Sequence, residues 1–123
     1  HYGLDLAGWR KAPVYSTAPG TVVFAGRKGR YGKMVEIAHG NGIRTRYGHL
    51  FKTHVRKGQK LGHRYKIGLL GSTGRSTGPH VHYEILFNGK QLDPLKFIKA
   101  GRHVFKEPKA ADKPKPKGQK SAG

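Results

Sequence analysis

The sequence predicts an all-β fold, and three observations carry that expectation. Nineteen glycines divide 123 residues into short runs. Those runs are rich in β-branched and aromatic residues, as strands are. The most telling of them, VHYEILF from Val81, has no helical start signal. The length suits one domain with a modest core, ordered largely by sheet pairing.

Taken in order, GTVVFAG (20–26) and KMVEIAH (33–39) read as strands. HGNG then supplies a turn, with Asn41 and Gly42 suited to positive φ. In the return strand IRTRYGHL (43–50), alternation puts Thr45, Tyr47 and His49 on one face and Arg44 and Arg46 on the other. His49 is therefore expected on whatever surface Tyr47 lines. KIGLLG (66–71) is a short apolar strand, and Asn88-Gly89 is the tip of a hairpin after the strand through His80 and His82. LDPLKFI closes the folded part, where Leu95, Phe97 and Ile98 can cover an edge of the core. The domain is expected over residues 1–100, followed by a basic Pro/Lys/Ala-rich flexible tail over 101–123, most biased from Lys106 onward.

The absence of cysteine removes disulfides and thiolate metal sites and leaves His, Asp and Glu as possible ligands. A formal net charge of +19, from 25 Lys+Arg against 6 Asp+Glu, implies attraction to a polyanion: nucleic acid, an anionic membrane surface or an anionic cell wall. No nucleic-acid module signature accompanies the charge, so no specific nucleic-acid partner is expected. No apolar run approaches the roughly 20 residues of a transmembrane segment, and no export signal opens the sequence.

The chemistry concentrates in GSTGRSTGPHVHYEI (71–85). A phosphate loop would need a lysine before its Ser/Thr and a glycine at position 69; Arg75 and Leu69 stand there instead. In a strand, His80 and His82 point the same way with Glu84 in line behind them, and two imidazoles on one face suggest a metal. A catalytic zinc usually takes three protein ligands. HYGLD offers the rest, with His1 and Asp5 four apart and Gly3 between them to bend the backbone. His1, Asp5 and one of His80 or His82 make a two-histidine, one-carboxylate set.

H-x-G-x-D, then Y-G-H-L, then G-S-T-G-R-S-T-G-P-H-x-H-Y-E resemble, in this order, the lysostaphin/LytM-type zinc endopeptidases, which are peptidoglycan hydrolases. GTVVFAG, HGNG, VRKGQ and IGLLGSTG extend the likeness from His1 to about Ile98. The resemblance implies a Gly-rich two-sheet sandwich or barrel-like fold and one zinc ion per chain held by His1, Asp5 and His82. It makes His49 and His80 the free catalytic histidines, one to accept a proton from water and the other to hold the oxyanion, in an order the sequence leaves open. Glu84 could orient an imidazole. The small-residue loop before His80 would let an extended substrate come close, and Arg75 could contact a substrate carboxylate or sugar. His39, Tyr47 and Tyr83 read as structural.

The implied substrate is the peptide cross-link of peptidoglycan, an anionic cell-wall polymer, in the periplasm or outside the cell. STGRSTGPHVHYE is more similar to envelope endopeptidases of Gram-negative bacteria than to glycine-bridge cleavers, which favours a D-alanyl–diaminopimelate bond. Because a proposed ligand is residue 1, an upstream strand and an export signal are expected beyond this sequence. The competing readings are a non-catalytic wall-binding or amidase-activating module of the same fold, a polyanion binder, and a copper histidine-brace oxidative enzyme built on His1. Modules without activity should have lost His1, Asp5 or His82, and all three are present.

Overall fold

The computed structural model describes residues 3–72 and 78–94. Strands β1 (Leu4–Ala7), β2 (Pro13–Tyr15), β3 (Gly20–Arg27), β4 (Lys33–Gly40), β5 (Ile43–Thr53), β6 (Lys60–Leu61), β7 (Lys66–Leu70), β8 (His80–Phe87) and β9 (Lys90–Leu92) are joined by antiparallel pairing. A 3-10 turn, Gly29–Tyr31, lies between β3 and β4. The all-β expectation holds. The layers expected from the resemblance are continuous: all nine strands belong to one hydrogen-bonded sheet, in the order β1-β8-β5-β4-β3-β6, with β7 joining β5 to β2 and β9 pairing with β8.

The sheet branches at β5. Its first part, Ile43 to Gly48, pairs with β8, and its last part, Leu50 to Thr53, pairs with β7. Between them β5 carries one extra residue against β4, since Lys33 faces Leu50 while Val35 faces Tyr47. Such a bulge bends a strand and re-aims its side chains. His49 sits at this point with φ 63, a conformation a non-glycine residue rarely adopts.

Both turns expected from sequence are present: Gly40, Asn41 and Gly42 have φ of 98, 52 and 80, and Asn88 and Gly89 have φ of 50 and 85. The Asn88 amide donates to the Gly42 carbonyl at 2.8 Å, so the two turns close the same end of the sheet. Alternation along β8 buries Val81, Tyr83 and Ile85 in a core shared with Val35, Ile37, Tyr47, Leu50 and Ile67. Leu92 packs against this core and Pro94 is fully buried. Leu95, Phe97, Ile98 and the expected tail lie outside the described residues.

His39 has the structural role expected of it. Its Nδ1–H donates to the Pro19 carbonyl at 2.7 Å, which leaves Nε2 to accept from the Thr45 hydroxyl at 2.7 Å. Thr45 Oγ1 meets the Tyr47 hydroxyl at 2.8 Å, and the Tyr47 and Tyr83 hydroxyls both reach Thr17. The polar groups under this end of the core are therefore paired, as burial requires.

Candidate functional site

The off-core face of β8 and its neighbours forms two cross-strand rows. In the first, Asp5 of β1 faces His82 of β8, which faces Gly48 of β5. In the second, Glu84 of β8 faces Arg46 of β5, which faces Glu36 of β4. Register alone brings these side chains together, because directly opposed residues on one face of an antiparallel pair are neighbours.

In the first row, Asp5 Oδ1 lies 2.8 Å from His82 Nδ1 and 3.6 Å from His80 Nε2. His82 Nε2 is 2.9 Å from Glu84 Oε2. An ionised carboxylate only accepts, so Nε2 carries the proton given to Glu84 and Nδ1 turns toward Asp5. Two lone pairs meeting in this way require a cation between them: a proton on His82, or a metal ion in its place. The Glu84 hydrogen bond, working against burial and aided by Asp5, raises the His82 pKa above its ordinary value.

Gly3 leaves room beside the site, because a Cβ added there would overlap the His82 ring. His1 and Arg75 lie outside the described residues. Among the described residues no group of three or more His, Asp or Glu side chains closes around a point as a complete metal site does; Asp5 and His82 are the two donors that converge. Their donor types, and the proton held on the far nitrogen of His82, fit a zinc ion.

His49 and His80 stand beside this pair. Their ring centroids are 5.1 Å apart, and the His49 centroid is 6.0 Å from that of His82. Simple alternation had put His49 with Tyr47, but Tyr47 is buried at 2% exposure in the core. The bulge and the positive φ at His49 break the alternation and carry its ring to the His80/His82 side. His80 Nδ1–H donates to the Gly78 carbonyl at 2.8 Å, which turns Nε2 toward Asp5.

The second row supports the first, and most of it was not anticipated. Glu84 and Glu36 are buried, at 3% and 5% exposure. Arg46 lies between them, with Nε 3.0 Å from Glu36 Oε1 and NH1 3.3 Å from Glu84 Oε1. The Tyr31 hydroxyl donates to Glu84 Oε1 at 2.9 Å and accepts from Arg46 at 3.0 Å. Burial alone would raise the Glu84 pKa, but hydrogen bonds from His82 and Tyr31 and the nearby positive charges hold it below the ordinary glutamate range. Burial, with Glu84 beside it, pushes the Tyr31 pKa up, so the phenol keeps its proton and remains a donor. Gly48 makes room for Tyr31: a Cβ there would stand 3.1 Å from the ring. The sequence signal for Arg46 was its place on the face opposite Tyr47; Tyr31, in a three-residue 3-10 turn, had none.

A model described as Peptidase family M23 matches residues 1–94. The chain is 45% identical over 96 residues to the peptidoglycan DD-endopeptidase ShyA of Vibrio cholerae, a match covering 78% of this chain and 22% of the relative. It therefore spans about a fifth of the length of that curated relative. Among solved structures, a zinc-containing peptidase from Vibrio cholerae is 43% identical with a TM-score of 0.71, covering 74% of this chain and 28% of that one. The catalytic domain of the antimicrobial peptidase lysostaphin from Staphylococcus simulans is 33% identical with a TM-score of 0.75, covering 80% of this chain and 79% of that one. With the family match running over most of its length and the same fold in these peptidases, the chain belongs to peptidase family M23.

Proposed function

We propose that this chain is the catalytic domain of a zinc-dependent endopeptidase that hydrolyses the peptide cross-links of bacterial peptidoglycan, of the D-alanyl–diaminopimelate type. The observation that carries the reading is the convergence of Asp5 Oδ1 and His82 Nδ1, backed by Glu84, with two further histidines beside it. The ShyA relative and the zinc-containing peptidase support the substrate and the metal. The domain spans residues 1–100 and works in the periplasm or elsewhere in the cell envelope or outside the cell. No helix among the described residues is long and apolar enough to cross a membrane.

In this reading His1, Asp5 and His82 hold one zinc ion, and Glu84 fixes the His82 tautomer. When bound, zinc supplies Lewis acidity, acidifying water and polarising the scissile carbonyl. His80 is placed to take the proton of the attacking water: its Nδ1–H is occupied by the Gly78 carbonyl, and Asp5 at 3.6 Å stabilises the imidazolium that results. His49 donates to the oxyanion of the tetrahedral intermediate, at a position set by the β5 bulge.

The substitution His82→Ala tests this reading against a simple polyanion binder. It should abolish hydrolysis of cross-linked muropeptides and leave the salt-sensitive binding to sacculi intact. Hydrolysis retained in the variant would mean that the metal assignment is wrong.

A further inference from the structure

Next to the histidines, residues 8–12 between β1 and β2 form a turn held at several backbone points. Gly8 N–H donates to the Pro79 carbonyl at 3.5 Å and Lys11 N–H to the Leu70 carbonyl at 2.7 Å. Leu70 N–H returns to Ala12 at 2.7 Å, and Ala12 N–H closes the turn on Trp9 at 3.1 Å. Lys11 sits within it at φ 68. Glycine would adopt that conformation without strain, so what lysine adds there is its side chain.

That side chain and its neighbour converge on one ring. Lys11 Nζ is 4.8 Å and the Arg10 guanidinium carbon 5.3 Å from the Phe51 ring centroid. Neither cation forms an ion pair with a carboxylate among the described residues. Leu50 is buried in the core, so Phe51, like His49, stands on the off-core side of β5. Gly71 connects this group to the site: a Cβ added there would stand 2.5 Å from the Phe51 nitrogen, and Gly71 bridges to His80. On the other side, Ala7 at the end of β1 pairs with His80. Two like charges are thus held over one aromatic ring, whose neighbour Gly71 bridges to His80. Trp9, at 72% exposure the most exposed large hydrophobic side chain among the described residues, lies at the start of the same turn.

We infer that Trp9, Arg10, Lys11 and Phe51 form a subsite for a free carboxylate of the substrate peptide, within a residue or two of the bond that is cut. The two cations, otherwise repelling each other, bind the carboxylate by charge-assisted hydrogen bonds, Arg10 with two parallel donors. Trp9 covers the apolar part of the same peptide residue. This rests on the endopeptidase reading and deepens it: the enzyme distinguishes cross-linked peptides by an acid group outside the scissile amide.

The test uses two synthetic cross-linked peptides that differ only in that group, free carboxylate against carboxamide, with the zinc-loaded protein and its Arg10→Gln/Lys11→Gln variant. The protein should favour the carboxylate by about tenfold in KM, the order of one charge-assisted hydrogen bond at a partly exposed site, with similar kcat. The double variant should lose that preference and keep its kcat on the carboxamide. Equal KM for both peptides, or a preference that survives in the double variant, would overturn the subsite. Binding is read separately through Trp9, the single tryptophan of the chain. Its fluorescence should respond to the carboxylate peptide at about tenfold lower concentration than to the carboxamide. If neither peptide is cleaved, the endopeptidase reading fails while this response still decides the subsite; no carboxylate-dependent response would refute it.

Discussion

His82 Nε2 lies 2.9 Å from Glu84 Oε2, and this one contact decides which nitrogen of His82 faces Asp5. Glu84 can fill that role because its other oxygen is already held by Tyr31 and Arg46.

Glu84→Gln should therefore do more than remove a charge. Tyr31 and Arg46 donate to one side of residue 84, so the amide must turn its oxygen there and its NH2 toward His82. His82 Nε2 then accepts, its proton moves to Nδ1, and the lone pair facing Asp5 is lost. Zinc affinity, measured by competition with a chromogenic chelator, should fall by about 10- to 100-fold. Histidine 15N shifts should show the tautomer reversed. Unchanged affinity would separate Glu84 from the metal.

Gly3→Ala tests the space rather than the proton. The added methyl overlaps the His82 ring, so the ring must move and zinc binding should weaken. The clash is with a site side chain and not with a core residue, so the thermal melting of the metal-free protein should change little. Wild-type zinc affinity in this variant would show that Gly3 and His82 are not in contact.

Arg46 lies between two buried carboxylates, with its own side chain 23% exposed. Arg46→Met leaves Glu84 with only His82 and the Tyr31 hydroxyl, and Glu36 with only Arg44, whose side chain is 52% exposed. Breaking a buried ion pair from one side costs about 3–5 kcal/mol, and a urea titration should show a loss of that order. Adding Glu36→Gln to the variant should restore part of it. A loss below about 1 kcal/mol, the range of surface pairs, would contradict the buried network.

The burial of His39 gives the fold a pH dependence whose sign follows from it. Burial pushes its pKa below the ordinary 6.5, against the hydrogen bond to Pro19. Between the lowered value and 6.5 the unfolded chain binds a proton that the native protein does not, so stability rises with pH across that window. The contribution is complete above about pH 6.5 and is lost as pH falls through the folded value. His39→Gln should flatten the stability profile there relative to wild type. A His39 NMR titration midpoint above 6.5 would reverse the sign.

What the sequence made legible was local in origin. Alternation along HVHYEILF put His80, His82 and Glu84 on one face, and the turns at Asn41-Gly42 and Asn88-Gly89 followed from residues that tolerate positive φ. His49 was assigned to the site by resemblance, and its ring stands beside His80 and His82 and not on the surface that Tyr47 lines. The bulge that re-aims it exists because β5 changes partner from β8 to β7, which no spacing within IRTRYGHL reveals. Arg46, Glu36 and Tyr31 were missed as a group for the same reason: their partners come from separate strands and a 3-10 turn that meet only through register. The short strands β1, β2, β6 and β9 carry too few residues to show a period.

The most direct test of the central proposal is mass spectrometry of muropeptides from Gram-negative sacculi incubated with the purified protein, with chelator-treated and zinc-restored samples in parallel. The account predicts that cross-linked dimers become monomers, with the gain of one water per cut, in the untreated and zinc-restored samples and not after chelation. Dimers left intact by protein shown to carry zinc would contradict it.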